Sequence, residues 1–319
     1  MSTLYLDRKN LALKHDAGTL AIYQDGERQS TVPLKLIERI VARADVALSA
    51  GVLTAIASRG IAFIAITGRK GEYIAQLTGA PHNDARRRLA QYRRYQDPDQ
   101  RLNHARALIV GKIHNQHRFI TRLLAHRPDQ RYTLTHGENT LAQVMAQALT
   151  ATRLESLRGF EGAAAAAYFK ALTRVFPERL NFTDRNRRPP RDPVNACLSL
   201  GYTLLHGDAV HACHSAGLDP MIGIFHDPVF GRESLAADLV EPLRPHLDQW
   251  TWELFKDRQL DLEHFGQEGD ACLLSKTGRQ RYYAAWEQRA PALRRWLRLQ
   301  TRQLVRDLLD REPETQLAP

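Results

Sequence analysis

The sequence predicts an α+β protein in which a small N-terminal, mainly-β domain is joined by a linker to a larger all-α domain. In residues 3–77, short apolar runs are separated by glycine-containing turns, which is the pattern of β-strands. After a loop-forming stretch, Thr-Gly-Ala-Pro-His-Asn-Asp, the apolar residues recur with a helical period up to residue 309. These observations place the β-rich domain at residues 1–77, the linker at 78–85 and the helical domain at 86–319.

Each predicted element depends on its local pattern. The β-rich domain has predicted strands at residues 3–6, 19–23 and 61–66, and one short helix at 51–57. Asp84 is placed to cap the first helix of the second domain. The predicted helices of that domain cover residues 86–90, 103–124, 140–157, 162–176, 193–216, 234–246 and 277–309.

Length and composition exclude several classes of protein. The chain has 319 residues, of which 43% are hydrophobic, and this is ordinary for a folded protein of two domains. No apolar run approaches the roughly 20 residues of a membrane helix, and residues 1–8 lack the apolar core of a secretory signal. Cys197, Cys213 and Cys272 are too scattered for a disulfide framework and are predicted to be buried. We therefore expect a cytoplasmic protein that does not enter membranes.

The charge of the chain favours a polyanionic partner. The formal net charge is +10 and the sequence pI is near 9.7. Arginine supplies most of the positive charge and binds phosphate bidentately, although a GC-rich genome gives the same bias. The arginines cluster at residues 86–94, 185–191 and 294–302, where aromatic residues such as Tyr92 and Trp296 either stack on bases or pack between helices. Each cluster is alternatively a solvated surface, but three clusters with few acids among them favour nucleic acid.

Glu161 is the acidic residue with the most unusual surroundings. It stands between Gly159 and Gly162 at the predicted start of an alanine-rich helix that otherwise has the composition of a buried element. A buried carboxylate is costly unless it is paired or bound to a metal. Because its neighbours are small, another backbone or DNA has room to approach. Glu161 is therefore a candidate metal ligand.

Two later segments supply partners for Glu161. His226 follows the apolar run 221–225, and Asp238 and Glu241 lie three residues apart on a predicted helix, so that their carboxylates project from one face. The alternatives are a hydrogen-bonded core histidine and a solvated acidic turn near a helix start. A site that combines an imidazole nitrogen with carboxylate oxygens suits manganese or magnesium better than zinc.

A histidine-rich segment is a second candidate metal site. It contains His206, His211, Cys213 and His214, of which His211 and His214 would share a helix face. The spacing matches no zinc motif, so a solvated helix surface is the simpler interpretation.

Several segments carry a resemblance to a known family. They are residues 158–169, which read Arg-Gly-Phe-Glu-Gly before the alanines and Tyr-Phe, and residues 192–202, 217–226 and 232–242, with further family-like segments at 49–53, 105–116 and 276–279. In this pattern the chain resembles the CRISPR-associated endonuclease of the spacer-acquisition module, the metal-dependent integrase that is the first member of the Cas series. The resemblance extends through nearly the whole chain. Family members also have a small β domain followed by a larger helical catalytic domain.

The resemblance implies roles for individual residues. The family's metal-binding and catalytic glutamate, histidine and aspartate fall on Glu161, His226 and Asp238. Glu241 occupies the position of a nearby second acid, which is either a ligand or a partner of the ligands. The residues that match family positions and would support the site are Asn195 and Tyr202. The residues expected to hold DNA are Arg185, Arg187, Arg188, Arg191, Lys276 and Arg279.

The resemblance also implies a reaction and partners. A Mg²⁺ or Mn²⁺ ion would activate a phosphodiester of the CRISPR array, and the 3′-hydroxyl of a captured DNA fragment would attack it in a transesterification that inserts a new spacer. The expected partners are DNA, a second copy of the chain bound through the β-rich domain, and the small ferredoxin-like second protein of the module. Two alternatives stay open: a general metal-dependent nuclease acting on branched or damaged DNA, and a non-catalytic DNA-binding scaffold in which the three residues only close a hydrogen-bonded core.

Overall fold

The computed structural model describes residues 2–43, 45–67, 73–77, 82–186 and 189–310. It divides into two compact units. The first contains Met1–Asn83 and Tyr283–Arg289, and the second contains Asp84–Tyr282 and the chain from Ala290 onward. Residues 78–81 of the expected linker lie outside the described residues, and the domain limits stay a prediction.

The N-terminal segment of the first unit forms two β-sheets and one helix. Its elements are β1 (Ser2–Leu6), β2 (Leu11–Asp16), β3 (Thr19–Gln24), β4 (Glu27–Pro33), β5 (Ile37–Ala42), β6 (Val46–Leu48), α1 (Ala50–Ala57), β7 (Ala62–Thr67) and β8 (Tyr73–Leu77). One sheet has the strand order β1-β5-β7-β8, with only the β7–β8 pair antiparallel. The other has the order β4-β3-β2-β6, with only the β2–β6 pair parallel. The three predicted strands and the predicted helix are confirmed.

Apolar residues from both sheets and from α1 form the core of the first unit. Leu20, Leu34, Ile40 and Ile56 are at most 1% exposed, and the burial of each such side chain contributes about 1.5–3 kcal/mol. The β3–β4 hairpin turns at Asp25-Gly26, where both residues have positive φ (52° and 87°), as the two-residue turns that match strand twist require. Composition and turn chemistry therefore agree in this unit.

The second unit is largely helical, which confirms the predicted fold class. Its helices are α2 (Arg86–Gln96), α3 (Pro98–His126), α4 (Arg131–Leu149), α5 (Leu154–Leu172), α6 (Pro193–Ala216), α7 (Ser234–Val240), α8 (Arg244–Lys256) and α9 (Lys276–Leu309) without its residues Tyr283–Arg289, which belong to the first unit. A short antiparallel pair, β9 (Phe265–Glu268) and β10 (Ala271–Leu274), precedes α9. The expectation of an all-α domain missed this two-stranded sheet. Four-residue strands are too short to produce a periodic signal.

The predicted helix limits around Glu161 were wrong. Instead of helices at 140–157 and 162–176, the chain breaks at 150–153 and a continuous α5 holds Glu161 in its middle, not at its start. Gly159 does not end this helix, because a buried stripe that includes Leu157 and Tyr168 anchors it on both sides of the glycine. The alanine-rich segment is not a buried element either, because Ala164 alone among residues 163–167 is buried.

Helix α6 begins and ends as predicted. Asp192 caps it by accepting a hydrogen bond from Asn195 N at 2.8 Å, and Pro193 occupies the first turn. Gly217 ends it in the left-handed conformation, at φ 76°. By contrast, the predicted helix at 234–246 is interrupted by a 3₁₀ turn, Glu241–Leu243.

Helix α3 lies at the centre of the second unit and packs against α4, α5 and α8. Its buried face includes Ile109, Ile113, Ile120 and Leu123, all 0% exposed. This packing brings one residue of α3, Lys112, close to α5 and to the turn after α7. Within the described part of the chain, no helix is long and apolar enough to cross a membrane.

Candidate active site

Two glutamates converge on one lysine in the second unit. Lys112 Nζ contacts Glu161 Oε1 and lies 2.5 Å from Glu241 Oε2. The lysine side chain is 9% exposed, and those of Glu161 and Glu241 are 26% and 8% exposed. Three helical segments that are far apart in sequence thus place two carboxylates around a single buried cation.

The charges in this cluster are mutually stabilised. Burial raises the pKa of Glu241, but Arg244 and Lys112 outweigh it and hold that pKa at about 2. Arg244 Nε lies 2.8 Å from Glu241 Oε1. Burial lowers the pKa of Lys112, but the charges of Glu241 and Glu161 raise it above its ordinary value. Both Glu241 and Lys112 are therefore charged at neutral pH.

Asp238 holds the backbone that carries His226. Asp238 is 0% exposed, and its Oδ2 accepts from the backbone N–H groups of Ile224 (2.5 Å) and Phe225 (3.0 Å). Its Oδ1 accepts from His226 N at 3.1 Å and from His226 Nδ1 at 2.6 Å. These bonds fix the imidazole so that Nε2, which has no hydrogen-bond partner among the described residues, is the ring atom left to bind a ligand.

The structure separates the predicted trio into two groups. His226 is paired with Asp238, whereas Glu161 shares Lys112 with Glu241. Among the described residues, no three His, Cys, Asp or Glu side chains lie close enough together to hold a metal ion. His226 is nevertheless near enough to Glu241 to contribute to the lowering of its pKa. The donors that fit a divalent ion chemically are two carboxylates already gathered around a cation and one oriented imidazole.

Two arginines that the sequence interpretation missed hold the residue after His226. Arg101 contacts Asp227 and donates from Nε to Ile224 O at 2.7 Å. Arg158 Nη2 lies 2.5 Å from Asp227 Oδ2. The hydrogen bond from Arg101 lowers the pKa of Asp227, against the effect of burial. Arg158 lies within the segment that carried the resemblance, but nothing in the sequence names Asp227 as its partner.

Tyr202 belongs to a polar network beside Glu241. Its hydroxyl donates to Asp248, which also accepts from Tyr168 Oη at 2.9 Å. The guanidinium of Arg244 lies 4.6 Å from the Tyr202 ring centroid, and that of Arg185 lies 5.4 Å from it. Through Arg244, this network contacts Glu241.

Asp248→Asn is expected to change how stability depends on pH. Burial raises the pKa of Asp248 from 3.8 to about 6, so the folded state binds its proton more tightly than the unfolded state does. The resulting stabilisation is complete below pH 3.8 and is lost as the pH rises through 6. The loss corresponds to about 3 kcal/mol. Urea unfolding at pH 4 and pH 7.5 measures this effect. Relative to the wild type, the free energy of unfolding of the neutral variant should be higher at pH 7.5 than at pH 4, by up to about 3 kcal/mol. A difference between the two proteins that is the same at both pH values would contradict the raised pKa of Asp248.

Asn195 organises the loop before α6. It is 0% exposed, and its Nδ2 donates to Asp184 O at 2.8 Å and to Asp192 Oδ2 at 2.6 Å. Its Oδ1 accepts from Arg185 Nη1 at 2.6 Å and from Asn186 N at 3.2 Å. Its support is therefore to this loop, which places Arg185 against Tyr202.

The residues expected to hold DNA differ in how available they are. Arg191 and Lys276 are exposed. Arg185 and Arg279 are partly buried and donate to Asn195 Oδ1 and Leu274 O. Arg187 and Arg188 lie outside the described residues.

The arginine cluster at residues 294–302 is only partly exposed. Arg294 is 7% exposed, and its Nε lies 3.0 Å from Asp208 Oδ2. Arg298 and Arg302 are exposed, and Trp296, which lies between Arg294 and Arg298 in the sequence, is 54% exposed. Of these three arginines, one is therefore buried in an ion pair and two face outward.

The histidine-rich segment forms no zinc site among the described residues. His206 Nε2 lies 3.2 Å from Glu233 Oε2, and Cys213 is buried. All three cysteines are free and buried, as predicted.

Comparison with known proteins identifies the family. Residues 4–288 match the family model described as CRISPR associated protein Cas1. The chain belongs to the Cas1 family. It is 36% identical over 296 residues to a CRISPR-associated endonuclease Cas1 of Thermodesulfovibrio yellowstonii, and the match covers 90% of this chain and 91% of that protein.

Solved structures of the family have the same fold. A Cas1 protein from Thermotoga maritima superposes with a TM-score of 0.84 at 24% identity, over 97% of both chains. The Cas6-RT-Cas1–Cas2 complex gives a TM-score of 0.83 at 25% identity, and the match covers 98% of this chain and 35% of that larger chain. The β-rich start and helical remainder are thus those of Cas1 proteins.

Proposed function

We propose that this Cas1 family member is a metal-dependent DNA endonuclease and integrase of CRISPR adaptation, which inserts captured DNA fragments into the CRISPR array by transesterification from a 3′-hydroxyl. The observation that supports it most directly is the convergence of Glu161 and Glu241 on one buried cation. The imidazole of His226, which Asp238 holds, is near enough to Glu241 to affect its pKa. The curated relative from Thermodesulfovibrio yellowstonii is named an endonuclease.

The proposed metal ligands are Glu161, Glu241 and His226 Nε2. This differs from the set that the resemblance implied, because both oxygens of Asp238 already accept hydrogen bonds from the turn that carries His226. Asp238 then orients the ligand instead of being one. Carboxylate oxygens with one imidazole suit Mg²⁺ or Mn²⁺. When bound, the ion would supply Lewis-acid activation of the phosphodiester and neutralise charge that develops there.

The protein would bind DNA through the phosphate charges, without contacts that depend on the base sequence. Arg191, Lys276, Arg298 and Arg302 are exposed and have the chemistry to bind phosphates. The phosphodiester would be positioned by these contacts, while Arg101 and Arg158 hold the His226 segment rigid through Asp227. Positioning and charge neutralisation are the contributions that usually dominate catalysis of phosphoryl transfer.

The proposed partners are a second copy of the chain and the small second protein of the adaptation module. The solved complex that contains a Cas1 part also contains Cas2 by name. Among the described strands of the first unit, β4 pairs on one side only, with β3, and its residues 27–31 are exposed, so its outer edge is able to pair with another chain.

The metal site is tested by comparing Glu241→Gln with Asp238→Asn. We expect wild-type protein to join a DNA 3′-end to a repeat-containing target with Mn²⁺ and to lose this activity with a chelator. Loss of a direct ligand should weaken Mn²⁺ binding by more than about 100-fold, and loss of an orienting partner by about 10–100-fold. Calorimetry of Mn²⁺ binding should therefore rank Glu241→Gln as the weaker binder.

Other results would favour the alternatives. The reverse ranking in calorimetry would restore Asp238 as the ligand. Cleavage of branched DNA without joining of ends would favour a general nuclease, and DNA binding with no metal-dependent chemistry would favour a scaffold.

A further inference from the structure

We propose that Lys112 is an internal cation that occupies the position of the divalent ion in the metal-free protein and competes with that ion for Glu161 and Glu241. This inference depends on the proposed metal site. It concerns a residue to which neither the sequence nor the family comparison gives a role. The evidence for the inference is the set of contacts that the ammonium group of Lys112 makes.

A single atom bridges the two carboxylates. Lys112 Nζ contacts Glu161 Oε1 and lies 2.5 Å from Glu241 Oε2, on a side chain that is 9% exposed. Without a cation, two largely buried carboxylates repel each other strongly, because the low dielectric of the interior screens them poorly. Lys112 therefore keeps the two glutamates together when no metal is present.

A divalent ion would need the same two carboxylates. Glu161 and Glu241 would hold the ion, and Lys112 Nζ already contacts an oxygen of each, so the ammonium group and the ion would compete for them. Lys112 must leave these oxygens before the ion binds them. If the lysine occupies the site most of the time, the apparent association constant for the metal is the intrinsic constant multiplied by the fraction of time that the site is free.

The approach of α3 to the turn does not depend on Lys112. Asn115 Nδ2 donates to Pro242 O at 2.9 Å, and Gly111 leaves α3 close to Pro242. On the other side, Arg244 Nε still bonds Glu241 Oε1 at 2.8 Å. A variant without the ammonium group should therefore keep the backbone of the site in place.

Lys112→Met is the direct test, with Lys170→Met as the matched control. Lys170 is an exposed lysine on α5, the helix that carries Glu161. We expect Lys112→Met to bind Mn²⁺ at least about 10-fold more tightly than the wild type in calorimetry, because the competitor is gone. Its melting temperature without metal should fall, and Mn²⁺ should raise it by more than it raises that of the wild type. The control should match the wild type in both measurements.

Three results would overturn the inference. Equal or weaker Mn²⁺ binding by folded Lys112→Met, while the wild type binds, would overturn it alone. No Mn²⁺ binding by either protein would overturn both this inference and the proposed metal site. If Lys112→Met is unfolded without metal, Lys112→Gln, which keeps a donor but no charge, replaces it in the same experiment. Unchanged affinity in Lys112→Gln would again count against competition.

Discussion

Replacing Glu161 by Gln is expected to lower metal-dependent DNA joining and cleavage by more than about 100-fold while leaving the fold and DNA binding nearly unchanged. Glutamine has the same shape but no charge, so it binds a divalent ion poorly. Helix α5 does not need the carboxylate for packing, because its buried face is formed by residues such as Leu157, Ala164 and Tyr168. The loss should therefore be confined to chemistry and metal binding.

Glu155→Gln is the matched control for this substitution. Glu155 lies on the same helix, its side chain is 68% exposed, and its partner Arg153 is equally open to solvent, at 74% exposed. Joining of a labelled DNA 3′-end measures activity, and calorimetry measures Mn²⁺ binding. Wild-type activity in Glu161→Gln would contradict the catalytic role of Glu161, whereas failure of that variant to fold would favour a structural role in the core.

Much of the fold could be predicted because it depends on local patterns. The order of a β-rich unit and a helical unit follows from the change of apolar period, and both ends of α6 follow from Asp192, Pro193 and Gly217. The limits of α5 could not be predicted in this way. Glycines favour a helix end by propensity, but buried residues on both sides of Gly159 outweigh that preference.

The candidate site shows where local reasoning stops. A spacing of three residues predicts that Asp238 and Glu241 share one helix face, but α7 ends between them at Val240. Asp238 then lies under the turn of residues 224–226, and Glu241 points to Lys112. This division depends on contacts with segments distant in sequence, which no spacing encodes.

The contacts of Lys112 also could not be predicted from the local sequence. The segment that contains it contributed to the resemblance, but a lone lysine on a helix is ordinarily a solvated residue. Its role becomes visible only when α3, α5 and the turn at Glu241–Leu243 are packed together. Ion pairs between segments that are far apart in sequence therefore cannot be predicted from local sequence patterns, because they depend on how the helices pack.

Gly223→Ala is expected to displace the segment that carries His226. A methyl group at Gly223 would collide with the carbonyl oxygen of His226 and lie 2.8 Å from Ser234 Cβ and 3.0 Å from Asp238 Oδ2. Backbone and Cβ atoms cannot rotate away, so the turn itself must move. We expect a loss of about 1–3 kcal/mol in the free energy of unfolding. A shift of about 1 Å in His226 should lower DNA joining by about 100-fold.

Gly159→Ala separates this effect from the general effect of adding a methyl group. Gly159 lies in the middle of α5, is exposed, and a Cβ there would meet nothing within 4 Å. Because alanine favours helix over glycine, this control should gain about 0.5–1 kcal/mol of stability. Urea unfolding and DNA joining, measured on both variants, give the comparison. If Gly223→Ala joined DNA at the wild-type rate, the tight packing of Asp238 under the turn could not be what positions His226, and its orienting role would have to be abandoned.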